Sequence, residues 1–324
     1  MYLLQGLFTH WLLLDYTSTL LERTKNETRL TIWRMFGAAA LQQPWLGYGW
    51  NQSVLAQLAA TAVQYTEKGS NTQIFSSAHN LFIDLLLWLG IPLGLITSAA
   101  IVTWLGRAAS HVKNSLDALL VLGVVSMGVH AMLEFPLYYT YFLLPLGLMV
   151  GMLDLRLQHR HALVTGLRPL ILVWLTCCFL FVVVVRDYFV IEESYSELRQ
   201  DAARIASKTA RQPPDVLILT QLRDYIALAR LEPALNMGQD KIDWVTNVTQ
   251  VYPAEHNLLK LATILALNGR AWQASEWLAK LCNLYPDTEC IRARTEWDRL
   301  QVKFPQLSKV AWPTVPATAN PNHP

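Results

Sequence analysis

The sequence predicts an all-α fold, that of a polytopic helical membrane protein with a C-terminal helical domain. Of its 324 residues, 53% are hydrophobic and only 15% are charged, whereas about a quarter of the residues of an ordinary soluble protein are charged. The stretch from Leu81 to Leu105 carries one carboxylate and no cation. The tail after Arg186 is polar and has helical periodicity. Together these features predict a membrane part followed by a soluble part.

Four segments are predicted to cross the membrane. The first, Leu81–Leu105, is long enough because about 20 residues at 1.5 Å each match a hydrocarbon core of roughly 30 Å. Pro92 and Gly94 are expected to kink this helix, which is tolerated where neighbouring helices satisfy the freed carbonyl. The predicted spans are 81–105, 118–133, 136–153 and 169–185.

Basic residues set the expected orientation of these spans. They gather in two short loops, one after Leu105 and one after Leu153, and the positive-inside rule places such loops in the cytoplasm. His79, the turn at Glu134 and everything after Arg186 are then expected on the opposite, extracytoplasmic side.

The first 80 residues precede the predicted spans. Residues 1–20 are apolar but short, and they predict a partial membrane or interfacial helix. Residues 21–80 are more polar and predict an extracytoplasmic loop that contains two helical pieces. These pieces are Arg29–Leu41, which Pro44 ends, and Gln52–Gln64.

The tail predicts an extracytoplasmic helical domain over residues 186–304. Within it, Asn257–Pro286 has small and apolar residues at a spacing that resembles one tetratricopeptide repeat of about 34 residues. Since a lone repeat cannot bury its own face, two or three helical hairpins are expected. Cys282 and Cys290 can pair if the tail faces an oxidising compartment, a point that the sequence leaves open. Residues 305–324 are rich in Pro, Thr, Ala and Asn and are predicted to be disordered.

His79 lies directly before the first predicted span, at the expected membrane surface. Histidine is the side chain that changes charge near neutral pH, so at such a boundary it can exchange protons with water. From the residues alone two interpretations remain open: an interfacial anchor of the helix, or a proton acceptor in a reaction. The neighbouring Asn80 is expected to cap the helix that begins there, with substrate binding as the alternative.

Several short motifs lie before and after His79 along the chain. The first two are Arg34 and Pro-Trp-Leu-Gly-Tyr-Gly-Trp-Asn over 44–51, followed by Ala-His-Asn-Leu-Phe over 78–82 and Leu-Gly-Ile-Pro-Leu-Gly over 89–94. His-Ala-Met-Leu-Glu-Phe-Pro-Leu-Tyr-Tyr over 130–139 comes last. In this order, beside a membrane helix, they resemble the signature region of the O-antigen ligase and polymerase superfamily. The likeness is closest to the pilin-type protein O-oligosaccharyltransferases and extends roughly from Arg29 to Pro305.

The resemblance implies an enzyme of the bacterial inner membrane with its C-terminal domain in the periplasm. Such an enzyme transfers a glycan from an undecaprenyl-pyrophosphate carrier to a hydroxyl, with no metal or cofactor. It implies that His79 is catalytic, since a neutral imidazole can take the hydroxyl proton as the oxygen attacks the sugar C1. Arg34 matches the family's arginine and is expected to bind pyrophosphate in bidentate fashion. Arg29 is a second candidate, with a solvated surface arginine as the alternative.

Further candidate substrate ligands surround the Gly-x-Gly element. Gly47 and Gly49 would let backbone amides approach a phosphate, or would simply form a turn. Trp45, Tyr48 and Trp50 would stack on sugar rings, or would belong to an interfacial aromatic belt. The sequence does not decide between these alternatives.

His130 and Glu134 are the last candidates for substrate binding. They share one helical face at i, i+4 near the outer surface, where polar groups are costly unless they are paired or functional. The alternative to a substrate role is a structural hydrogen bond between the two side chains.

Three functions follow as alternatives. The long tail favours a protein acceptor such as a pilin; an O-antigen ligase or polymerase would use a sugar acceptor such as the lipid A core; a non-enzymatic membrane scaffold would use the spans only as an anchor. The net charge of +2 and the lack of a basic run give no sign of nucleic acid binding. Members of the resembled family are longer, so a C-terminal part of a split or truncated gene is expected, with activity dependent on the missing spans.

Overall fold

The computed structural model describes residues 28–64, 74–157, 166–203 and 213–313, so the helix predicted over 1–20 lies outside the described residues. All regular secondary structure in these ranges is helical, as predicted. One compact unit comprises α1 to α5 and a second comprises α6 to α11. The helices are α1 Thr28–Gln42, α2 Ser53–Gln64, α3 Leu81–Ser110, α4 Ser115–Ala131, α5 Thr140–Arg156, α6 Leu167–Ala202, α7 Thr220–Arg230, α8 Gln239–Val251, α9 Glu255–Leu267, α10 Ala271–Leu284 and α11 Asp287–Lys303, with 3-10 turns at Pro136–Tyr138 and Pro305–Lys309.

Two of the described helices, α3 and α6, are long and apolar enough to cross a membrane. The helices α4 and α5 fall near the predicted spans 118–133 and 136–153, but each has 17 residues. At 1.5 Å per residue that is about 25 Å, less than a hydrocarbon core of roughly 30 Å. The described residues therefore hold two candidate spans, and the four-span topology stays a prediction.

The first candidate span is broken at Gly90, which has φ 77° and ψ 167°. The sequence placed the kink at Pro92 and Gly94, whereas the backbone leaves the helix two residues before the proline. Pro92 has no N–H, so the carbonyl of Trp88 loses its helical partner. Gly90 takes up the positive φ because it lacks a Cβ.

A loop from Pro44 to Gly49 satisfies the backbone groups that the break sets free. The loop supplies two backbone N–H donors and one backbone carbonyl acceptor to α3, so no neighbouring helix is needed to satisfy the freed groups. The hydrogen bonds are Tyr48 N to Leu87 O at 2.7 Å, Gly49 N to Trp88 O at 3.2 Å and Ile91 N to Pro44 O at 2.7 Å.

Two glycines allow this close approach of loop and helix. A Cβ at Gly47 would lie 2.4 Å from the Leu87 carbonyl oxygen, and one at Gly90 would lie 2.3 Å from the Trp45 carbonyl oxygen. Both residues also have positive φ, at 65° and 77°. The loop and α3 therefore pack backbone against backbone.

Behind this contact, α1 and α2 bury an apolar core against the first turns of α3. The fully buried Phe36 and Leu87 lie at its centre, and small alanines let the helices come close. The buried members are Ile32, Met35, Phe36, Ala39, Ala40, Ala56, Ala60, Phe75, Ala78, Leu87 and Trp88.

In the second unit, α6 is one helix from Leu167 to Ala202. The sequence ended a span at residue 185 and started a separate segment at Asp187, but no Pro or Gly interrupts residues 186–202 and the helix continues. Asp187 is 0% exposed and accepts hydrogen bonds from the backbone N–H groups of residues 217, 218 and 219. It satisfies three donors of the segment that leads into α7, a helix without a side-chain cap at its start.

The helices α9 and α10 form a hairpin around Gly269, which has φ 77°. The apolar positions that suggested a repeat are buried there: Ala262, Leu265, Ala274, Leu278 and Leu281. A disulfide joins Cys282 to Cys290, the pairing that the sequence left open.

The prediction that residues 305–324 are disordered is wrong for its first part. The turn Pro305–Lys309 buries Leu307, and the Trp312 ring lies 6.1 Å from that of Trp297. Composition suggested disorder because prolines and small residues outnumber the apolar side chains, yet these few are enough to attach the segment to α11. Residues 314–324 lie outside the described range.

Gly90→Ala is expected to lower the thermal unfolding midpoint strongly, because the added methyl would meet the Trp45 carbonyl and the positive φ would cost roughly 1–2 kcal/mol more. Gly106→Ala is the matched control in the same helix, where a Cβ meets nothing within 4 Å. Thermal unfolding followed by tryptophan fluorescence in detergent checks both. Equal midpoints for the two variants would contradict the backbone contact described here.

Candidate active site

His79 lies in a short loop before α3 and has a left-handed backbone, with φ 52°. Its N–H donates to the Ser77 Oγ at 3.0 Å. Asn80 caps α3, since its side-chain oxygen accepts from the N–H groups of Phe82 and Ile83. A left-handed non-glycine residue is uncommon and is found where the surroundings hold it, often at functional sites.

The imidazole of His79 pairs with Glu134. The distance from His79 Nδ1 to Glu134 Oε2 is 3.2 Å, and Arg29 Nη2 lies 3.7 Å from the other carboxylate oxygen. A carboxylate only accepts hydrogen bonds, so Nδ1 carries the proton in this contact, and in a neutral ring the lone pair is then on Nε2. With 23% of the His79 side chain exposed, Nε2 can act as a base towards a hydroxyl.

Two aromatic rings flank this imidazole. The rings of Phe75 and Phe135 approach it edge-on, with centroids 6.5 Å and 5.3 Å away. These contacts limit rotation of the ring about its side-chain bonds. The imidazole is therefore held by its backbone, by Glu134 and by packing.

Asp84, in the first turn of α3, is 4% exposed and receives three hydrogen bonds. Ser53 Oγ donates to it at 3.3 Å, Ser77 Oγ at 2.8 Å and Ala78 N at 2.9 Å. Sequence reasoning noted one carboxylate in the apolar stretch but gave it no role. The isolation of this carboxylate in an apolar stretch could have identified Asp84 as a site residue, because an ionisable residue in a membrane segment is costly and usually functional.

The structural hydrogen bond between the His130 and Glu134 side chains, given above as the alternative to a substrate role, is not formed. The helix α4 ends at Ala131, and the hydrogen bond between the two residues joins their backbones, Glu134 N to His130 O at 2.9 Å. The His130 ring packs against Phe142 with centroids 5.5 Å apart, and the Glu134 carboxylate reaches His79 instead.

The two arginines of α1 occupy different positions. Arg29 is brought to Glu134, while Arg34 is exposed and has no carboxylate partner among the described residues. Five residues along a helix turn the side chain by about 140°, so the two guanidinium groups leave α1 in different directions. The structure joins Arg29 to the His79 pair and does not join Arg34 to it.

The Gly-x-Gly turn uses its amides within the protein. Gly47 N donates to Gln43 O at 3.1 Å, and the N–H groups of Tyr48 and Gly49 donate to α3. The geometry therefore gives Gly47 a packing role and Gly49 a turn position with positive φ, at 97°, and leaves these amides no hydrogen to offer a phosphate. The Tyr48 hydroxyl donates to Ala39 O at 3.0 Å, and burial raises the pKa of Tyr48, which keeps this donor protonated.

The two tryptophans beside this turn are exposed, Trp45 by 77% and Trp50 by 70%. Trp50 lies against Trp88, with ring centroids 4.7 Å apart, and lines a cavity of about 320 Å³. Glu134 and Tyr138 line the same cavity, so it adjoins the His79 pair. Trp45 is not among its lining residues. This places Trp50, of the two, beside the candidate active site.

Residues 118–299, more than half of the chain, match the family described as virulence factor membrane-bound polymerase, C-terminal, and residues 11–98 match the O-antigen ligase family. These matches confirm the resemblance drawn from the motifs. The chain belongs to this superfamily of O-antigen ligases and membrane-bound polymerases.

Two proteins of Acinetobacter baylyi are similar to the chain. A general O-oligosaccharyltransferase is 30% identical over 273 residues, which cover 83% of this chain and 46% of the relative. A ComP-specific O-oligosaccharyltransferase is 41% identical over 134 residues, or 41% of this chain and 24% of the relative. The chain thus spans less than half the length of either relative. No solved structure matches it.

His79→Gly is expected to unfold at a higher temperature than His79→Ala, because only glycine adopts φ 52° without strain; the difference is about 1 kcal/mol. Both variants lack the imidazole, so the comparison isolates the backbone. The control is the exposed helical position Ala59. There glycine should be less stable than alanine, so Ala59→Gly should destabilise the protein by about 1 kcal/mol. A His79→Ala variant as stable as His79→Gly would rule out the left-handed conformation.

Proposed function

We propose that this chain carries the catalytic part of an O-oligosaccharyltransferase. It would transfer a glycan from an undecaprenyl-pyrophosphate-linked donor to a Ser or Thr hydroxyl of a periplasmic protein such as a pilin. The observation that carries the proposal is the His79–Glu134 pair at the start of α3. Family membership and the names of the two relatives support it.

In the proposed reaction His79 is the general base. Its Nε2 takes the proton of the acceptor hydroxyl while that oxygen forms a bond to the sugar C1, and the bond from C1 to the pyrophosphate oxygen breaks. Glu134 keeps the proton on Nδ1 and stabilises the imidazolium that forms, as the carboxylate of a catalytic triad does. The lipid pyrophosphate leaves with the electron pair of the broken bond.

Cations are needed for the leaving group. Arg29 lies 3.7 Å from Glu134 and its side chain remains 40% exposed, so it can contact pyrophosphate oxygens and still face Glu134. Arg34 is exposed on α1 and would bind a more distant part of the donor. Arginine suits this role because its planar fork pairs with phosphate in bidentate fashion.

A sugar acceptor is the second candidate. The O-antigen ligase match covers residues 11–98 and so includes His79, and a sugar hydroxyl could give its proton to the same base. The protein acceptor is preferred because both relatives are named oligosaccharyltransferases and because the second unit offers a large helical surface.

We place α3 and α6 in the inner membrane and the rest of the second unit in the periplasm. The basic loops predict this orientation. The disulfide between Cys282 and Cys290 supports it, because disulfides persist in the periplasm and are rare in the cytosol.

The proposed docking place for the acceptor protein is a groove of about 520 Å³ between α9 and α11. It is lined by His256 and Thr295 together with charged side chains that include Glu255 and Arg292. Burial, with the charge of Lys260 adding to it, lowers the pKa of His256, so this imidazole is neutral at pH 7. Pairing with Glu255 raises the pKa of Arg292. The groove thus presents fixed donors and acceptors suited to a polypeptide.

His79→Gln is expected to lower glycosylation of a co-expressed pilin by about 100-fold or more, because the general base is lost. Glu134→Gln should lower it by about tenfold or more, because an amide no longer selects one tautomer. His111→Gln and Glu193→Gln, both exposed, are the matched controls and should leave transfer unchanged. Mass spectrometry of pilin from a strain without its own ligase measures the modified fraction.

This assay is run with the chain alone and with the chain joined to the N-terminal part of the general O-oligosaccharyltransferase. A lipid A core acceptor is offered in parallel, and its modification in place of pilin would favour the ligase alternative. Unchanged transfer in His79→Gln would refute the proposed base. No transfer in either form, with pilin still bound, would favour the scaffold.

Thr295→Trp is expected to reduce pilin glycosylation by about tenfold, because the new ring would fill the groove between α9 and α11. Val302→Trp is the control on the same helix, at a position 86% exposed and outside the groove, and it should transfer normally. With a free peptide that contains serine or threonine as the acceptor, the two tryptophan variants should differ less in glycan transfer than they do with intact pilin. Equal loss in both tryptophan variants would argue against docking in this groove.

A further inference from the structure

We infer that Asp84 is a positioning residue for His79. This buried carboxylate holds residues 77 and 78 so that His79 keeps its left-handed backbone and presents its imidazole to Glu134. The inference rests on the proposed role of His79 as the base. It adds a residue that no motif singled out.

Burial of the Asp84 carboxylate is energetically unfavourable unless its lost water is replaced. Asp84 is the one ionisable side chain of an apolar stretch from Leu81 to Leu105, and it is 4% exposed. A buried carboxylate is tolerated only where hydrogen-bond donors replace its water, and here three donors do so. All three come from outside α3, so the carboxylate ties other segments to this helix.

Ser77 passes the effect of Asp84 on to His79. Its hydroxyl donates to Asp84 Oδ2 at 2.8 Å and accepts from the backbone N–H of His79 at 3.0 Å. Because a hydroxyl has one proton, its bond to the carboxylate fixes which side of the oxygen faces His79. The orientation of the Ser77 hydroxyl therefore depends on Asp84.

Ala78 provides a second connection. Its N–H donates to Asp84 Oδ1 at 2.9 Å, and its carbonyl accepts from Trp33 Nε1 at 3.0 Å. The peptide groups on both sides of Ala78 are thus fixed, one by α3 and one by α1. The next residue is His79, whose φ of 52° needs such fixed neighbours to persist.

Ser53 connects α2 to the same carboxylate. Its hydroxyl donates to Asp84 Oδ1 and accepts from Trp88 Nε1 at 3.2 Å. This bond contacts neither His79 nor Ser77. It makes Asp84 a junction of α2, α3 and the His79 loop, so the carboxylate is itself held still.

The isosteric Asp84→Asn change separates positioning from packing. An amide keeps the shape and one acceptor oxygen but puts an NH₂ group where one carboxylate oxygen was. If that group faces Ser77, the Ser77 hydroxyl loses its acceptor and turns, and the His79 N–H loses its fixed partner. The imidazole then no longer holds one orientation against Glu134.

Asp117→Asn is the matched control. Asp117 is also a buried carboxylate, 5% exposed, in the first turn of an apolar helix, where it accepts from Lys113 N and Arg156. Its partners lie outside the His79 loop. A general cost of removing a buried carboxylate would affect both variants, whereas positioning of His79 would affect only Asp84→Asn.

The first measurement is ¹⁵N-histidine NMR of the full chain in nanodiscs at pH 8, with the His79 signals assigned by their loss in His79→Gln. Wild type and Asp117→Asn should show one tautomer, protonated at Nδ1. Asp84→Asn and Ser77→Ala should show averaged Nδ1 and Nε2 shifts. In the pilin assay both variants should lower kcat about tenfold with KM for the donor within twofold, and the double variant should lose no more than either alone.

A single Nδ1-protonated tautomer in both Asp84→Asn and Ser77→Ala would overturn the inference, as would equal loss of kcat in Asp117→Asn. If Asp84→Asn does not fold, Ser77→Ala tests the same connection with the carboxylate kept. The proposed function fails separately, through a His79→Gln variant that still transfers glycan. In that case the tautomer measurement still decides whether Asp84 positions the imidazole.

Discussion

The interrupted hydrogen-bond ladder of α3 is the constraint on which the first unit depends. Gly90 breaks the helix, and Pro92 makes the loss of a donor unavoidable. The Pro44–Gly49 loop restores the missing bonds, and it can do so only because Gly47 and Gly90 have no Cβ. Since α1 leads directly into this loop, docking of the loop also sets where α1 lies. As a result, the Trp33 side chain reaches the His79 loop and the Arg29 side chain reaches Glu134.

The site on this scaffold contains two carboxylates with different surroundings. Asp84 is buried and receives only neutral donors, whereas Glu134 is 46% exposed and faces an imidazole and a guanidinium. The first can hold structure, because its hydrogen bonds join two other segments, α2 and the His79 loop, to α3. The second can respond to a proton on His79, because it contacts the ring directly and lies at the edge of a cavity. This division of roles gives a base that is both fixed and accessible.

Much of the helical structure and the family could be predicted from short-range patterns in the sequence. The apolar run before Leu105, the cap residue Asn80 and the hairpin around Gly269 depend on neighbours in the chain, so their helices could be predicted. The order of motifs indicated the family, which the matches then showed. The sequence left alternatives open where a distant contact decided the outcome: Glu134 bonds to His79, 55 residues away, rather than to His130, and the amides of Tyr48 and Gly49 bond to α3.

The sequence by itself determined a helical membrane protein with a histidine at the head of an apolar helix, because hydropathy and periodicity are local properties. Only the tertiary structure decided which groups meet that histidine. Arg29, Asp84 and the adjacent pair Glu134 and Phe135 come from three separate segments, and their approach depends on helix packing and on the docked Pro44–Gly49 loop. Hydrogen bonds between groups far apart in the chain leave no periodic trace in the sequence, so the site became visible only in three dimensions.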